Sequence, residues 1–104
     1  MPMTSGTKCF ARIDYPIEGM KLNEQVYNDC VAYLREQAKA RFFKAGVFTN
    51  ANGALVLFHA KDMEAAHEIT RNDPIIQGGF YRYELYHWEL LIASVDAGQE
   101  SENP

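Results

Sequence analysis

Hydrophobic and polar residues alternate along KCFARIDY, which spans residues 8 to 15. One face of this segment carries Cys9, Ala11, Ile13 and Tyr15, and the other carries Phe10, Arg12 and Asp14. A period of two residues is that of a β-strand. The segment is therefore predicted to form the first strand.

Two later segments repeat apolar residues every three or four positions, which predicts helices with one buried face. The first is expected from about residue 24 to residue 44 with Asn23 as its N-cap. Its inner stripe contains Tyr27, Cys30, Val31, Leu34, Ala38 and Phe42. The second helix is expected from Asp62, as N-cap, to about Arg71. Asp73-Pro74 should end it, because proline disfavours helical backbone in the residue before it.

The remaining apolar segments predict three more strands. AGVFTN and ALVLFH form a hairpin around Asn52-Gly53, a pair that favours tight turns. FYRYELYHWELL forms the last strand, which Gly78 and Gly79 can enter with positive φ. The resulting order, βαββαβ, predicts an α+β ferredoxin-like sheet with both helices on one face.

The second face of that sheet has no helix to cover it. Aromatic residues of the last strand fall on both faces, so this second face would expose a large apolar patch. We therefore expect a homodimer whose sheets pack face to face or close into a shared barrel.

The composition fits one small domain. Of the 104 residues, residues 8–93 are expected to fold, and residues 1–7 and 94–104 are expected to be disordered. A net charge of −4 argues against a nucleic-acid partner, and the absence of a signal peptide or an 18-residue apolar window argues against export or a membrane span. The spacing of Cys9 and Cys30 indicates neither a zinc site nor a disulfide framework, which favours a reduced cytoplasm.

A candidate site follows from the topology. The first strand should end beside the start of the fourth, which brings Asp14 and Tyr15 near Cys30 and Asp73. His59 and His87 should fall toward the opposite edge, and His67 is expected to be a solvated helix residue.

Each candidate has two interpretations. Asp73 is either a turn residue or an acid or base beside a cleft. Cys30 is either a small buried apolar residue or a nucleophile. Arg12, as a buried cation, needs Asp14, Glu84 or a bound anionic group as its partner. Tyr27 and Tyr33 either edge the core or hydrogen-bond a ring substrate. Because no phosphate loop, metal triad or Ser-His-Asp pattern is present, we expect no cofactor.

The segments CVAYLREQAKARFFKAGVF and HAKDMEAAHEITRNDPIIQGGFYRYELYHWEL resemble the YCII-related family of small dimeric α+β barrel proteins, over roughly residues 8 to 92. The most specific shared element is a helix ending in Asp-Pro, followed by an apolar residue and glycine. In that family the aspartate lines a cleft and is the proposed catalytic acid or base, which corresponds to Asp73. The family's histidine, and the arginine three residues ahead of it, are replaced here by Cys30 and Tyr27. The Asp–His pair of the family is therefore not carried over.

The resemblance extends to relatives that eliminate chloride from chlorinated lactones or chlorinated hydroxyhydroquinones in aromatic degradation, and more distantly to muconolactone isomerases. It implies a cofactor-free dehydrochlorinase in which Asp73 moves a proton and Arg12 or a tyrosine stabilises developing oxyanion charge. The expected substrate-binding residues are Arg12, Asp14, Tyr15, Tyr27 and Cys30. Two alternatives stay open: an isomerase that uses the same acid, and a protein that binds a small ligand without catalysis.

Overall fold

A computed structural model of the chain describes residues 5–94. Its elements, in chain order, are β1 (Lys8–Pro16), α1 (Glu24–Ala40), β2 (Phe43–Val47), β3 (Ala54–Phe58), α2 (Met63–Arg71), α3 (Pro74–Gln77) and β4 (Tyr81–Glu89). The strands form one sheet in the order β2-β3-β1-β4, with every neighbouring pair antiparallel. The α+β ferredoxin-like fold predicted from the sequence is confirmed.

The helix starts agree with the capping residues in the sequence. The side chain of Asn23 accepts a hydrogen bond from the Val26 amide, and that of Asp62 accepts one from the Ala65 amide. The predicted end of α1 at about residue 44 is wrong, because Arg41 is already extended. Phe43 instead starts β2, opposite Phe58 of β3. The helical spacing of Phe42 is a coincidence, which the pairing of the next residues as a strand overrides.

The Asp-Pro pair both ends one helix and begins another. After α2 ends, Asp73 caps the short helix α3, accepting a hydrogen bond from the Ile75 amide, and Pro74 occupies the first helical position. Proline suits that position because its missing N–H would have no helical partner there. Beyond α3, Gly79 has the expected positive φ of 79°, whereas Gly78 has an ordinary negative value.

The hairpin between β2 and β3 is confirmed, with a longer loop than the Asn-Gly pair alone suggests. The Phe48 amide donates a hydrogen bond to the Gly53 carbonyl across the loop. Gly53 has a φ of 132°, and a β-carbon there would lie 2.6 Å from the Asp14 main-chain oxygen. The close approach of these two backbones requires glycine at this position.

The two faces of the sheet differ in cover. The helix-facing side holds the apolar core, in which Phe10, Val56, Phe58 and Ala66 are buried. Residues facing the other way along β1, β3 and β4 include Ile13, Leu55, Leu57, Tyr86 and Trp88. Leu55 and Tyr86 are 38% and 49% exposed. This outer face is therefore the apolar surface that the sequence predicted to lack a helix.

The ends of the described chain extend the sheet slightly. The Gly6 amide donates to the Leu90 carbonyl, and the Leu90 amide donates to the Thr7 carbonyl. The hydrogen-bonded unit therefore starts before residue 8, where the sequence placed its boundary. Residues 1–4 and most of the acidic tail predicted at 94–104 lie outside the described residues. No helix in residues 5–94 has the length and apolar character needed to cross a bilayer.

Candidate active site

A cavity of about 450 Å³ lies between α1 and the helix-facing side of the sheet. The inner stripe of α1 forms one wall, through Tyr27, Cys30, Val31, Leu34 and Ala38. Residues of β2 and β3, including Phe43, Ala45 and Val56, form much of the opposite wall. Of the described residues in α1, Cys30 alone is buried, so the stripe predicted to pack in the core instead faces this cavity. An apolar cavity with a few polar groups is typical of a small-molecule site.

The polar end of the cavity holds three buried charged side chains. Arg12 donates from Nε to Asp14 Oδ1 at 2.7 Å and from Nη2 to Asp14 Oδ2 at 2.8 Å. The same Nη2 also donates to Asp73 Oδ2 at 2.7 Å. Arg12, Asp14 and Asp73 are 1%, 4% and 0% exposed. We call this arrangement the Arg12 triad.

Local structure explains how the triad forms. Arg12 and Asp14 are two positions apart on the central strand, so they share its helix-facing side. Asp73 reaches them from the junction of α2 and α3, where its other carboxylate oxygen, Oδ1, caps α3. The cap and the ion pair use different oxygens, so Asp73 is a turn residue and a cavity residue together.

Burial and charge act against each other in the triad. Burial disfavours the charged form of Arg12, but hydrogen bonds and charges from Asp14 and Asp73 outweigh it and raise the pKa of the guanidinium. Burial raises the pKa of the Asp14 carboxyl. The contact with Arg12 lowers this pKa, and the negative charge of Asp73 raises it further. An arginine partner usually lowers a carboxyl pKa. Here two buried carboxylates share one guanidinium, and the desolvation of Asp14 has a larger effect on its pKa than the contact with Arg12.

Cys30 lies in the cavity wall beside the triad. Burial raises the pKa of its thiol to about 12, and the charge and hydrogen bonding of Asp73 act in the same direction. The thiolate is the nucleophilic form of cysteine, and this environment suppresses it. Of the two interpretations of Cys30, the structure supports the buried apolar residue that shapes the cavity.

This environment predicts slow alkylation of Cys30 in the folded protein. At pH 8 we expect iodoacetamide to modify Cys30 at least ~10²-fold more slowly in native protein than in urea, since an ordinary thiol has a pKa of about 8.5. Peptide mass spectrometry over time measures the rate at each site. Cys9, buried with its pKa also raised by desolvation, gives an internal comparison. Rapid native alkylation of Cys30 near neutral pH would contradict this assignment.

Tyr15 does not belong to the cavity, and its predicted role in substrate binding is corrected by the structure. It lies on the outer face of β1, where its hydroxyl is 3.4 Å from Glu84 Oε1 and the Arg82 guanidinium stacks 4.3 Å from its ring centroid. Strand alternation explains the error, because neighbours such as Asp14 and Tyr15 point to opposite faces. Glu84 is on that outer face too, so it cannot be the partner of Arg12.

The histidines occupy separate positions. His59 packs against Phe42, and His87 stacks on Phe10 at a centroid distance of 4.7 Å. His67 is half-buried, with Nδ1 2.8 Å from the Tyr83 hydroxyl, so the prediction of a solvated side chain is wrong. Tyr33 donates to the Ile69 carbonyl at 2.6 Å and braces α1 against α2. Sequence reasoning missed the contact of Tyr83 with His67, for which the sequence carries no local signal.

Fold and site together define a small α+β protein with a buried arginine–carboxylate centre in an apolar ligand-sized cavity. The sequence pattern of the YCII-related domain matches residues 9–89. The chain therefore belongs to the YCII-related domain family. Among curated proteins, no sequence matches the chain.

Proposed function

We propose that this protein is a cofactor-free dehydrochlorinase that removes HCl from a small chlorinated ring, such as a chlorinated hydroxyhydroquinone. The main support is the Arg12 triad, in which two buried carboxylates share one guanidinium at the wall of an apolar cavity. Carboxyl groups in such surroundings suit proton transfer, and an apolar cavity suits a flat ring.

The reaction balances with proton transfers alone. One ring hydroxyl loses its proton, and the ring carbon that carries chlorine gains one, which makes this carbon tetrahedral. A second hydroxyl then loses its proton while the C–Cl bond breaks and its electron pair leaves on chloride. The net loss is one proton and one chloride, and the product is a hydroxybenzoquinone. No oxidant is required, but a group that takes up a proton and returns it is required.

The triad supplies groups for these steps. Asp73, which the family resemblance identifies as the acid or base, forms this centre together with Asp14. Arg12 lines the same cavity, and its Nη1 is not used in the contacts to either carboxylate. We assign to that nitrogen the stabilisation of the oxygen that gains negative charge. Tyr27 and Cys30 contribute to the cavity wall that would hold the ring.

The decisive experiment measures free chloride under anaerobic conditions. Purified protein is mixed with a chlorinated hydroxyhydroquinone, and a chloride electrode and the quinone absorbance are followed together. We expect one chloride per quinone, above the rate without protein, and no dependence on oxygen. Unchlorinated hydroxyhydroquinone is the matched control and should give no quinone in the absence of oxygen. Chloride release that protein does not accelerate would exclude this substrate.

Replacing the chlorinated hydroxyhydroquinone with a muconolactone tests the isomerase alternative. An isomerase would change the absorbance of the muconolactone and release no halide. The charge of the site favours the first substrate, because a muconolactone carries a carboxylate and the triad already has more carboxylates than guanidinium groups. Ring binding without turnover of either compound would support the alternative of a binding protein.

We also propose that the protein acts as a homodimer. The outer face of the sheet exposes Leu55 and Tyr86 beside Ile13, Leu57 and Trp88, and a second copy would cover this apolar surface. Light scattering after size exclusion should give twice the mass of one chain, and Leu57→Asp should shift the mass to one chain. A single-chain mass for the unmodified protein would contradict the proposal.

A further inference from the structure

The charges of the Arg12 triad do not balance when all three groups are ionised. Two carboxylates and one guanidinium then leave one uncompensated negative charge, and all three side chains are almost fully buried. A buried unpaired charge is costly, and a site commonly avoids the cost by binding a proton. The triad thus has a place for one exchangeable proton.

The contacts of the two carboxylates are different. Asp73 uses Oδ1 for the Ile75 amide and Oδ2 for Arg12, so its ionised form is tied to both the α3 cap and the ion pair. Asp14 instead accepts hydrogen bonds from Arg12 at both of its carboxylate oxygens. A proton on Asp14 would leave the Arg12–Asp73 pair and the α3 cap intact. A proton on Asp73 would weaken both.

Other titratable groups surround Asp14. From β1, Arg12 favours its ionised form, whereas Asp73, from the α2–α3 junction, opposes it. On β4, Tyr83 lies directly opposite in the register and contacts His67 of α2 through its hydroxyl. The neighbouring residues of β3 and its loop, Gly53 and Ala54, do not titrate. Titratable groups that line the same cavity from α1 and β4 are Tyr27, Cys30, Arg35 and Tyr81.

We propose that Asp14 is the member of the triad that takes up and returns the proton, and that Asp73 is the positioning residue that holds Arg12. The assignment deepens the proposed function, because the elimination needs one group that accepts a proton from a hydroxyl and gives it to the ring carbon. Desolvation of Asp14, which raises its pKa, agrees with this division of roles.

The test is a ¹³C NMR titration of the side-chain carboxyl carbons, each assigned through its own β-carbon in the unmodified protein. We expect the carboxyl of Asp14 to titrate above the ordinary aspartate value of about 3.9. Asp62, an exposed helix cap with no arginine contact among the described residues, is the control. An Asp14 carboxyl that titrates at or below the value of Asp62, or Asp73 titrating above Asp14, would overturn the assignment.

A second measurement uses protein stability and needs no substrate. The folded-state pKa of Asp14 lies above its unfolded value. Its contribution to the stability of the folded protein is therefore complete below about pH 4 and is lost as pH rises through the folded pKa. Asp14→Asn removes this loss. The free energy of unfolding of the variant minus that of the unmodified protein should therefore increase from pH 4 to pH 8. A difference that is flat or falls over this range would overturn the proposal.

These readouts separate the inference from the function. If Asp14 titrates as expected and no chloride is released, the proton assignment stands and the dehydrochlorinase proposal fails. If chloride is released and Asp14 titrates no higher than Asp62, the enzyme stands and Asp14 is not its proton carrier. With both correct, the acid limb of kcat/KM should coincide with the NMR titration of Asp14.

Discussion

Arg12→Met is expected to lower the free energy of unfolding by about 3–5 kcal/mol at pH 7, the range for removing one partner of a buried ion pair. The variant retains most of the aliphatic volume but leaves Asp14 and Asp73 as buried carboxylates without a cation. A loss of this size is a large part of the 5–15 kcal/mol that stabilises a typical domain. Urea unfolding followed by circular dichroism measures the change.

The pH dependence of this variant follows from the same charges. Without Arg12, a proton on either buried carboxylate relieves the repulsion between them and the cost of burying an unpaired charge. The folded variant is then stabilised at low pH and loses that stabilisation as pH rises. We expect the stability deficit to shrink as pH falls from 7 toward 4. Adding Asp14→Asn to Arg12→Met should recover part of the deficit at pH 7.

Arg82→Met is the matched control for Arg12→Met. Arg82 also pairs with an acid two residues away, Glu84, but at 3.5 Å and with a largely exposed side chain. Exposed ion pairs contribute between about 0 and 1 kcal/mol. Equal small losses for the two arginine variants would show that the Arg12 triad is not the buried charge centre described above.

The sequence predicted the elements of the fold because its local signals agree with its global pairing. Asn23 and Asp62 were recognisable as helix caps, and the alternation of β1 placed Arg12 and Asp14 on one face. The same alternation puts Tyr15 on the other face, so its closeness to Asp14 along the chain does not bring it to the cavity. Asp73-Pro74 follows the end of α2, as the sequence predicts, and it also begins α3, because aspartate is a good cap and proline suits the first helical position.

The remaining features of the site depend on tertiary contacts that have no local signature. Asp73 meets Arg12 across 61 positions of sequence, so its partnership could not be read from either segment alone. The stripe of α1 has the period of a core-facing helix, and periodicity does not distinguish a wall of packed side chains from the wall of a cavity. The raised pKa of Asp14 likewise depends first on how deeply the fold buries its carboxyl, and then on the charge of Asp73, which reaches it from a distant part of the sequence.

Asp73→Asn is expected to lower kcat/KM for chloride release, with an upper limit of roughly 10²–10⁴-fold, the range for complete loss of a proton carrier, because Asp73 positions Arg12 beside Asp14. Asparagine remains a good helix cap, so α3 should persist. With Asp73 neutral, Arg12 pairs with Asp14 alone and should lower the pKa of Asp14, which weakens it as a proton acceptor. The acid limb of the pH profile should therefore move to lower pH, a shift that loss of Asp73 as the direct base would not produce.

Asp62→Asn supplies the matched control, because it makes the same chemical change at the cap of α2, where Asp62 accepts from the Ala65 amide. We expect this variant to keep the activity and pH profile of unmodified protein. Chloride release over a pH series, with circular dichroism to check folding, compares the two variants directly. If Asp73→Asn were as active as Asp62→Asn, Asp73 would act only as a cap, because its contact with Arg12 is the main difference between the two aspartates.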